Sequence, residues 1–434
     1  MKSLTLLLSR RFGALFTCMA LGAFNDNFYK NALIIVTTYS LAKQMGMEAA
    51  TLLSIASAAF ILPFFLCSGL AGEFADRLPK HQLVRTLKLT EFILVLLAGI
   101  ALYFQHPWGL LITLFLLGVQ AAVFGPVKYS ILPELLTKEE LLQGNAMVEA
   151  GTFLSILSGT LIGGLMILRP HGAAIVGATM LVAALLGLWA AWRVPMTYVK
   201  SSELKINYNV FSSTWRMVRH AFDNPGLIFP ILGISWFWAI GATYLTQLPV
   251  FTKEIIGANE KVVTLFNGVF TVGIALGSFY CPLVIKTLKA RAQYLPAIAL
   301  SGVFLFGLDV CFIGHHVAVK YADDDDLLGI VGYLTASPSH IRLAVDLFLL
   351  AFCGGMFIVP LYTQMQMMSP EHERARTIAS NNVMNALFIA IASTLAAVLF
   401  ARDFTVLQVL FIFALLNLPV IAVLIYSAQK KKPE

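Results

Sequence analysis

The sequence has few charged residues, and this shortage is its most informative property. Only 12% of its 434 residues are Asp, Glu, Lys or Arg, whereas 59% are hydrophobic, and soluble globular chains carry about 25% charged residues. The composition therefore excludes an ordinary soluble domain and indicates a membrane protein with several transmembrane helices. The formal net charge of +7 does not indicate a nucleic-acid partner, because no basic run interleaves with aromatic residues.

Cysteine and histidine are also sparse. The 5 cysteines are odd in number, widely scattered and set in apolar segments, which is typical of small buried hydrophobic residues. None of the 8 histidines shows zinc-ligand spacing or has the Asp five positions later that membrane acyltransferases use. The sequence therefore predicts no metal site, no cofactor and no enzymatic activity.

Long apolar segments are what the chain contains in abundance. Twelve of them are long enough to span a membrane, at 12–41, 51–73, 83–104, 109–127, 145–168, 173–193, 226–252, 262–286, 293–314, 341–363, 378–401 and 404–428. Six precede and six follow a polar stretch. The sequence therefore predicts an all-α membrane protein with an N-terminal six-helix bundle at 1–193, a cytoplasmic linker at 194–225 and a C-terminal six-helix bundle at 226–434.

The placement of the basic residues predicts the orientation in the membrane. Lys and Arg collect mainly in the loops on the side of the N-terminus, and such loops usually face the cytoplasm. Both termini are therefore expected in the cytoplasm. In the linker, aromatic and basic residues around Trp215 suggest an amphipathic helix on the inner membrane surface, and a solvated linker is the other interpretation.

A polar island interrupts the first apolar segment at residues 25–31. At about 1.5 Å per helical residue, Asp26 lies about 20 Å past the start of the segment, inside a hydrocarbon core of about 30 Å. Each central charge costs about 2.5–3.5 kcal/mol. Asp26 and Lys30 share one helical face, flanked by Asn27 and Asn31. A substrate or gate role and a structural ion pair within one helix both remain open.

A short internal repeat links the two halves. Four residues recur at the same offset of 237 positions, and the two copies are Pro133, Glu134, Asn145, Met147 and Pro370, Glu371, Asn382, Met384. In both copies the pattern leaves the fourth segment of its half and enters the fifth. This indicates a parallel repeat about an axis along the membrane normal. The two asparagines either cap helices or take part in gating.

The loop between the second and third segments carries a recognisable motif. Residues 72–80 read Gly-Glu-Phe-Ala-Asp-Arg-Leu-Pro-Lys, which, with the 6+6 layout, resembles the major facilitator superfamily of secondary transporters. Its signature is G-x-x-x-D-R-x-G-K/R, and Pro79 stands here in place of the second Gly. The resemblance implies that Gly72 lets helices approach closely and that Asp76 and Arg77 form charge pairs holding the cytoplasmic side closed. It also implies alternating access to a central cavity.

A narrower resemblance comes from residues 125–135 and 145–150 together with the Asp26-Asn27 pair. These stretches are similar to the bacterial lysophospholipid transporter family. The fuller stretch 25–31 is more similar to members fused to an acyltransferase and an acyl-carrier-protein synthetase. The family implies movement of lysophospholipids, such as lysophosphatidylethanolamine, from the outer to the inner leaflet of the bacterial inner membrane without an ion gradient. Re-acylation there would make a downstream acyltransferase/acyl-carrier-protein synthetase a partner, beside the membrane lipids.

These considerations assign residues to two sites. Asp26 would meet the ethanolamine ammonium, Lys30 or Lys128 the phosphate, and Asn27 the glycerol oxygens. Glu91 and Gln247 complete the substrate set. The gating set comprises Gly72, Asp76, Arg77, Lys128, Glu134, Asn145, Glu149, Glu371 and Asn382. Because Asp26 and Glu91 could both titrate, a proton-coupled symporter for a small solute is the alternative function.

Overall fold

The described part of the chain is built almost entirely from α-helices. The computed structural model describes residues 2–37, 45–46, 49–198, 208–223, 225–318 and 327–430. Among these residues there is no strand, and one isolated bridge joins Ala258 to Leu328. This confirms the predicted all-α fold class. The end of the first predicted segment (38–41) and part of the predicted linker (199–207 and 224) lie outside the described residues.

We number the helices in chain order. The first eight are α1 Lys2–Leu8, α2 Arg10–Val36, α3 Ala49–Arg77, α4 Lys80–Tyr103, α5 Pro107–Ser130, α6 Leu132–Leu135, α7 Lys138–Ile167 and α8 Gly172–Ala191. The remaining ones are α9 Val210–Asp223, α10 Pro225–Val250, α11 Glu260–Leu288, α12 Leu295–His316, α13 Ile330–Ala336, α14 Pro338–Met368, α15 Arg374–Phe400, α16 Val406–Leu415 and α17 Asn417–Lys430.

The long helices correspond to the predicted membrane segments. Ten regions of the described residues are long and apolar enough to cross a membrane, and one of them, Glu260–His316, contains both α11 and α12. Helix α2 is not among the ten, because polar residues interrupt it, yet it has 27 residues. With α2 added and α11 and α12 counted separately, the described residues provide twelve long helical segments, at the predicted places.

Local sequence explains where several of these helices begin. Thr137 and Glu140 form a reciprocal capping box at the start of α7, and Thr405 and Gln408 form the same arrangement at the start of α16. The Ser9 side chain accepts from the third residue of α2. Each cap satisfies backbone N–H groups that the first helical turn leaves without partners.

The chain forms two compact units. The first unit comprises Met1–Gly144, Leu154–Ile228 and Met365–Ala386, and the second comprises Asn145–Phe153, Phe229–Gln364 and Leu387–Glu434. The first unit therefore contains α1 to α6, most of α7, α8 and α9, the end of α14 and the beginnings of α10 and α15. The division into bundles at 193 and 226 stays a prediction.

Two glycines fix the position of α2 within the first unit. A Cβ atom on Gly159 would lie 2.5 Å from the carbonyl oxygen of Phe24, and one on Gly163 would lie 2.5 Å from that of Phe28. The two glycines form a G-x-x-x-G pattern, which lets helix backbones touch in membranes. Helix α7 therefore packs directly on the stretch of α2 that carries the polar island.

Candidate functional site

Some polar residues of the island attach α2 to its neighbours. The Asn25 amide donates to the carbonyl oxygen of Met180 in α8 at 3.2 Å. The Asn31 amide donates to the carbonyl oxygen of Thr160 in α7 at 2.7 Å. The Tyr29 hydroxyl is buried and hydrogen-bonds to α5. These side chains therefore have a structural task, because interhelical hydrogen bonds hold membrane helices in register.

The other polar residues of the island lie on a half-buried face. The Asn27 amide donates to the carbonyl oxygen of Ala23 in its own helix at 2.8 Å. The Lys30 ammonium lies 4.2 Å from the centre of the Phe60 ring in α3, a cation–π contact. Asp26 makes no hydrogen bond and no ion pair with any described residue. The ion pair between Asp26 and Lys30 is therefore not formed in this structure.

Several charges surround the Asp26 carboxylate. Lys30, Lys88, Lys128 and Glu91 all lie near enough to interact with it electrostatically. The structure thus places four of the predicted substrate residues in one neighbourhood of the first unit. Three cations and two carboxylates give this neighbourhood one surplus positive charge, which suits an anionic group, while Asp26 offers a carboxylate to a cation.

Glu91 belongs to a buried group of polar side chains. Its Oε2 atom accepts from the Lys88 ammonium at 2.6 Å and from the Gln120 amide at 3.3 Å. All three side chains are buried. A Cβ atom on Gly22 of α2 would lie 2.8 Å from the Lys88 nitrogen, so the α2 backbone closes over the pair. The Glu91 carboxylate therefore already has hydrogen-bond partners from other side chains of the protein.

Two of the predicted substrate residues, Lys128 and Gln247, come from later helices. Lys128 is half-buried in α5, and its ammonium lies 4.8 Å from the centre of the Tyr129 ring. Gln247 is half-buried in α10 of the second unit. The structure therefore brings Lys128, but not Gln247, into the unit that holds Asp26.

Asp76, at the end of α3, binds the beginning of α15. Its carboxylate accepts from the backbone N–H groups of Ala375 at 2.9 Å and Arg376 at 3.1 Å, and from the Arg376 guanidinium at 3.2 Å. Asp76 is only 4% exposed. A carboxylate at a helix N-terminus accepts hydrogen bonds from the backbone N–H groups that have no partner within the helix, and its negative charge complements the helix dipole. Asp76 therefore caps a helix from the other half of the sequence.

Two glycines allow helices of the first unit to approach closely near this cap. A Cβ atom on Gly72 would lie 2.6 Å from the Cβ of Ala379 in α15. A Cβ atom on Gly125 of α5 would lie 2.6 Å from the amide nitrogen of Asn382, also in α15. Larger residues at either position would force the helices apart. The close approach expected for Gly72 is therefore present.

The charged residues beside the cap differ in their contacts. Lys80 and Glu134 form a buried ion pair of 2.6 Å, although only Glu134 was predicted from the sequence. Arg77 is exposed and forms no ion pair with a described residue. The charge pair expected for Arg77 is therefore not seen, and Arg376 is the cation that Asp76 binds.

The two asparagines of the repeat lie inside helices rather than at their ends. Asn145 and Asn382 follow the first residues of α7 and α15 by seven and eight positions, so neither caps a helix. The Asn145 amide donates to the Thr363 hydroxyl at 3.2 Å within the second unit. Glu149 is buried and Glu371 is exposed. Contact with another helix is thus the task that both asparagines share.

One further contact joins positions related by the repeat. The Gln366 amide donates to the carbonyl oxygen of Tyr129 at 3.1 Å, and these two residues are 237 positions apart. This is the same offset that relates the two copies of the motif. Neither Gln366 nor Arg376 was predicted from the sequence, although the offset of 237 positions relates Gln366 to Tyr129.

Comparison with known proteins places the chain among transporters. Residues 15–319 match the family model described as Major Facilitator Superfamily. The chain is 28% identical over 368 residues to the Lysophospholipid transporter LplT of Photorhabdus laumondii, covering 83% of this chain and 81% of that protein. It is 26% identical over 377 residues to the Lysophospholipid transporter LplT of Cronobacter sakazakii, covering 83% and 81%.

Solved structures support the same fold. The human organic anion transporter MFSD10 superposes with a TM-score of 0.74 at 14% sequence identity, covering 96% of this chain and 99% of that structure. An identity this low is evidence for the fold alone. The fold, the twelve long helices and the matching family model agree, and the chain is therefore a multi-pass membrane protein that belongs to the Major Facilitator Superfamily.

Proposed function

We propose that the protein transports lysophospholipids across the bacterial inner membrane by alternating access, without covalent chemistry. Two relatives that each align over 83% of the chain are named Lysophospholipid transporter LplT. The observation that carries the proposal is the Asp26 carboxylate, which has no hydrogen-bond or ion-pair partner among the described residues although it stands near the middle of a membrane helix. An intramembrane charge without a protein partner is a strong sign of a ligand or transport pathway.

The surrounding charges fit a zwitterionic headgroup. We propose that Asp26 binds the ammonium of an ethanolamine headgroup and that Lys30 and Lys128 bind its phosphate. The side-chain oxygen of Asn27 makes no hydrogen bond with a described residue, because its contact within α2 uses the amide nitrogen. Since a zwitterion brings one positive and one negative charge, binding leaves the net charge of the site unchanged. Transport of such a ligand needs no accompanying proton for charge balance.

The contacts around Asp76 fit the role of a gate. We propose that α3 and α15 stay together at this end while the site is open to the opposite side, and separate when the lipid leaves. The capping carboxylate and the close helix approach at Gly72 are contacts that form or break as a set. Gly125 with Asn382, and Lys80 with Glu134, reinforce this arrangement. Asn145, Glu149 and Glu371 are proposed to belong to the same gate.

Direction and partners follow from the same proposal. We place both termini in the cytoplasm, because the basic loops lie on their side of the membrane. Movement from the outer to the inner leaflet would then deliver the lysophospholipid to a cytoplasmic acyltransferase/acyl-carrier-protein synthetase for re-acylation. The two predicted six-helix bundles, 1–193 and 226–434, would rock about the site, with 194–225 as the cytoplasmic linker.

Transport into proteoliposomes tests the proposal. Purified protein would be reconstituted and supplied with labelled lysophosphatidylethanolamine, with and without a pH gradient, and leaflet movement would be measured by removing outer label with albumin. We expect uptake that persists without the gradient. Protein-free vesicles and vesicles containing an Asp26→Asn variant serve as controls.

Two results would contradict the proposal. Absence of protein-dependent uptake would reject the lipid substrate. Uptake that depends strictly on the pH gradient would favour the alternative, a proton-coupled symporter, in which Asp26 or Glu91 carries the proton. The ion pair of Glu91 with Lys88 disfavours Glu91 for that task, since its carboxylate already has a cationic partner.

A further inference from the structure

Helix α9 presents three different faces. At about 100° per residue, Phe211, Trp215, Val218 and Phe222 fall within about 60° of one another. Phe211, Trp215 and Phe222 are exposed, by 75%, 70% and 56%. The helix therefore turns a stripe of aromatic side chains away from the protein, the reverse of the arrangement in a soluble protein.

A second face of α9 is polar and is packed against α3. The Thr214 hydroxyl donates to the carbonyl oxygen of Phe65 at 3.3 Å, and the Ser213 hydroxyl donates to the Glu73 carboxylate at 3.2 Å. A Cβ atom on Gly69 would lie 3.0 Å from the Thr214 backbone nitrogen. The two helices are therefore in close contact through small and polar groups, so burial of aromatic side chains does not hold α9 in place.

The third face carries the arginines. Arg216 and Arg219 are 51% and 73% exposed, and they lie about 80–140° around the helix from the aromatic stripe. Arg216 also lies 3.6 Å from the Glu73 carboxylate. The aromatic stripe, the arginines and the face packed against α3 therefore occupy three different sides of α9. This is the arrangement of a helix that lies at a boundary between hydrocarbon and water.

The position of the contact along α3 agrees with such a boundary. Helix α3 has 29 residues and is therefore about 43 Å long, about 13 Å longer than a hydrocarbon core of about 30 Å. If α3 is centred in the membrane, its end at Arg77 projects about 6 Å beyond the core. Gly69 lies eight residues, or about 12 Å, before Arg77 and so about 6 Å inside the core. Interfacial helices insert their apolar face to about this depth, 5–10 Å.

We propose that α9 is a membrane-surface helix, which inserts Phe211, Trp215 and Phe222 beneath the headgroups and binds anionic lipid headgroups through Arg216 and Arg219. Through Glu73 it also holds the end of α3, three residues before the capping carboxylate of Asp76. The lipid surface is thereby connected to the helix end that carries the cap. This inference does not depend on which substrate the protein transports.

Fluorescence of Trp215 tests the proposal in lipid nanodiscs. The Trp215 contribution is obtained as the difference between the native protein and its Trp215→Phe variant. Nanodiscs would contain ordinary phosphatidylcholine or phosphatidylcholine brominated near the headgroup end of one acyl chain. We expect the brominated lipid to quench most of the Trp215 emission and aqueous acrylamide to quench little of it. Strong acrylamide quenching without any effect of brominated lipid would overturn the proposal.

A second measurement tests the headgroup specificity. Nanodiscs that contain phosphatidylglycerol would be compared with nanodiscs of phosphatidylcholine alone, using native mass spectrometry to count retained lipids. We expect Arg219→Gln to reduce phosphatidylglycerol retention about fivefold, the effect of one basic residue at an anionic surface. Arg219→Lys, which keeps the charge, is the matched control and should retain the lipid. Equal retention by Arg219→Gln and the native protein would overturn the anionic part of the proposal.

The connection to α3 has its own test. Glu73→Gln removes the charge that Arg216 faces while it keeps a side chain of the same size. We expect Trp215 to become more accessible to acrylamide in this variant, because α9 loses part of its attachment. Arg216→Gln removes the α9 side of the same contact and should cause the same increase in acrylamide quenching of Trp215. Unchanged quenching in both variants would show that Glu73 does not hold α9.

Discussion

Two pairs of oppositely charged residues in the first unit are each spaced about one helical turn apart, but only one of the two pairs forms an ion pair. Lys88 and Glu91 are three residues apart, are buried, and form an ion pair of 2.6 Å. Asp26 and Lys30 are four residues apart and form no ion pair, since the Lys30 ammonium lies over the Phe60 ring instead. Helical spacing alone therefore does not decide whether two charges meet.

The difference separates structural charges from charges available to a ligand. The Oε2 atom of the Glu91 carboxylate already binds a cation and an amide, whereas its buried Oε1 atom has no hydrogen-bond partner among the described residues. Among the described residues Asp26 has neither a hydrogen-bond partner nor an ion-pair partner, and the charges that act on it are more distant. We therefore propose that Lys88 and Glu91 serve the packing of α4 against α2 and α5, and that Asp26 and Lys30 bind the substrate. The following experiments test this contrast, from the largest expected effect to the smallest.

Breaking the buried pair should have the largest effect on stability. Lys88→Met or Glu91→Gln removes one charge and leaves the other buried without a partner, which costs about 3–5 kcal/mol. We expect each single variant to lower the free energy of unfolding by this amount, measured by denaturant titration in detergent micelles.

The double variant is the control for that measurement. When Lys88→Met and Glu91→Gln are combined, no uncompensated charge remains, and Gln120 can still bond to the new amide. We expect the double variant to recover most of the lost stability. Additive losses in the double variant would mean that each residue acts independently and that the ion pair is not the reason for their burial.

Asp26→Asn should abolish transport and leave folding intact. The variant removes the charge that we propose binds the ammonium but keeps the size of the side chain. Among the described residues, Asp26 has no hydrogen-bond or ion-pair partner to lose. We expect lysophosphatidylethanolamine uptake to fall at least a hundredfold, about 2.7 kcal/mol, with a change in unfolding free energy below about 0.5 kcal/mol. A fully active variant would reduce Asp26 to a structural residue.

Lys30 should show a smaller effect that depends on charge. Lys30→Met removes one of the cations proposed to bind the phosphate, and we expect about a tenfold loss of uptake, or about 1.4 kcal/mol. Lys30→Arg keeps both the charge and the contact with Phe60 and should retain most activity. If both variants lose activity equally, the geometry of the ammonium, rather than its charge, is what matters.

A charge pair at the surface provides the smallest effect. In the second unit, the Arg342 guanidinium binds the Asp309 carboxylate at 2.9 Å, but Arg342 is 56% exposed. Solvated pairs of this kind contribute about 0–1 kcal/mol, so we expect Asp309→Asn to change the unfolding free energy by less than about 1 kcal/mol and to leave uptake unchanged. A loss as large as that of Glu91→Gln would show that exposure does not distinguish the two pairs.

Much of the fold was predictable from the sequence, because membrane helices are long and apolar. All twelve predicted segments correspond to long helical segments of the described residues, and the polar island in α2 was evident from its charges. The close approach of α7 to α2 was not predicted, although Gly159 and Gly163 are spaced as expected for such a contact. A glycine pair identifies one face of one helix and not the partner that covers it.

The candidate site was only partly predictable, because the sequence shows which residues carry charge and not which charges meet. Asp26 and Lys30 were identified as polar residues in an apolar segment. The partner of Asp76 was not, since Arg376 lies 300 positions away and only the folded chain brings the two together. Arg77, which adjoins Asp76 in the motif, was also expected to form a charge pair, but it is exposed and has no ion pair with a described residue.

The cap of Asp76 on α15 affects the kinetics of any separation between these two helices. One carboxylate accepts three donors from a single helical turn, so a small displacement lengthens all three hydrogen bonds together. Partial separation would leave a desolvated carboxylate and bare N–H groups facing each other across a gap too narrow for water, which is a high-energy arrangement. Opening at this end is therefore expected to be a single activated step between two populated states, visible as two lifetimes in single-molecule fluorescence rather than as a continuous drift.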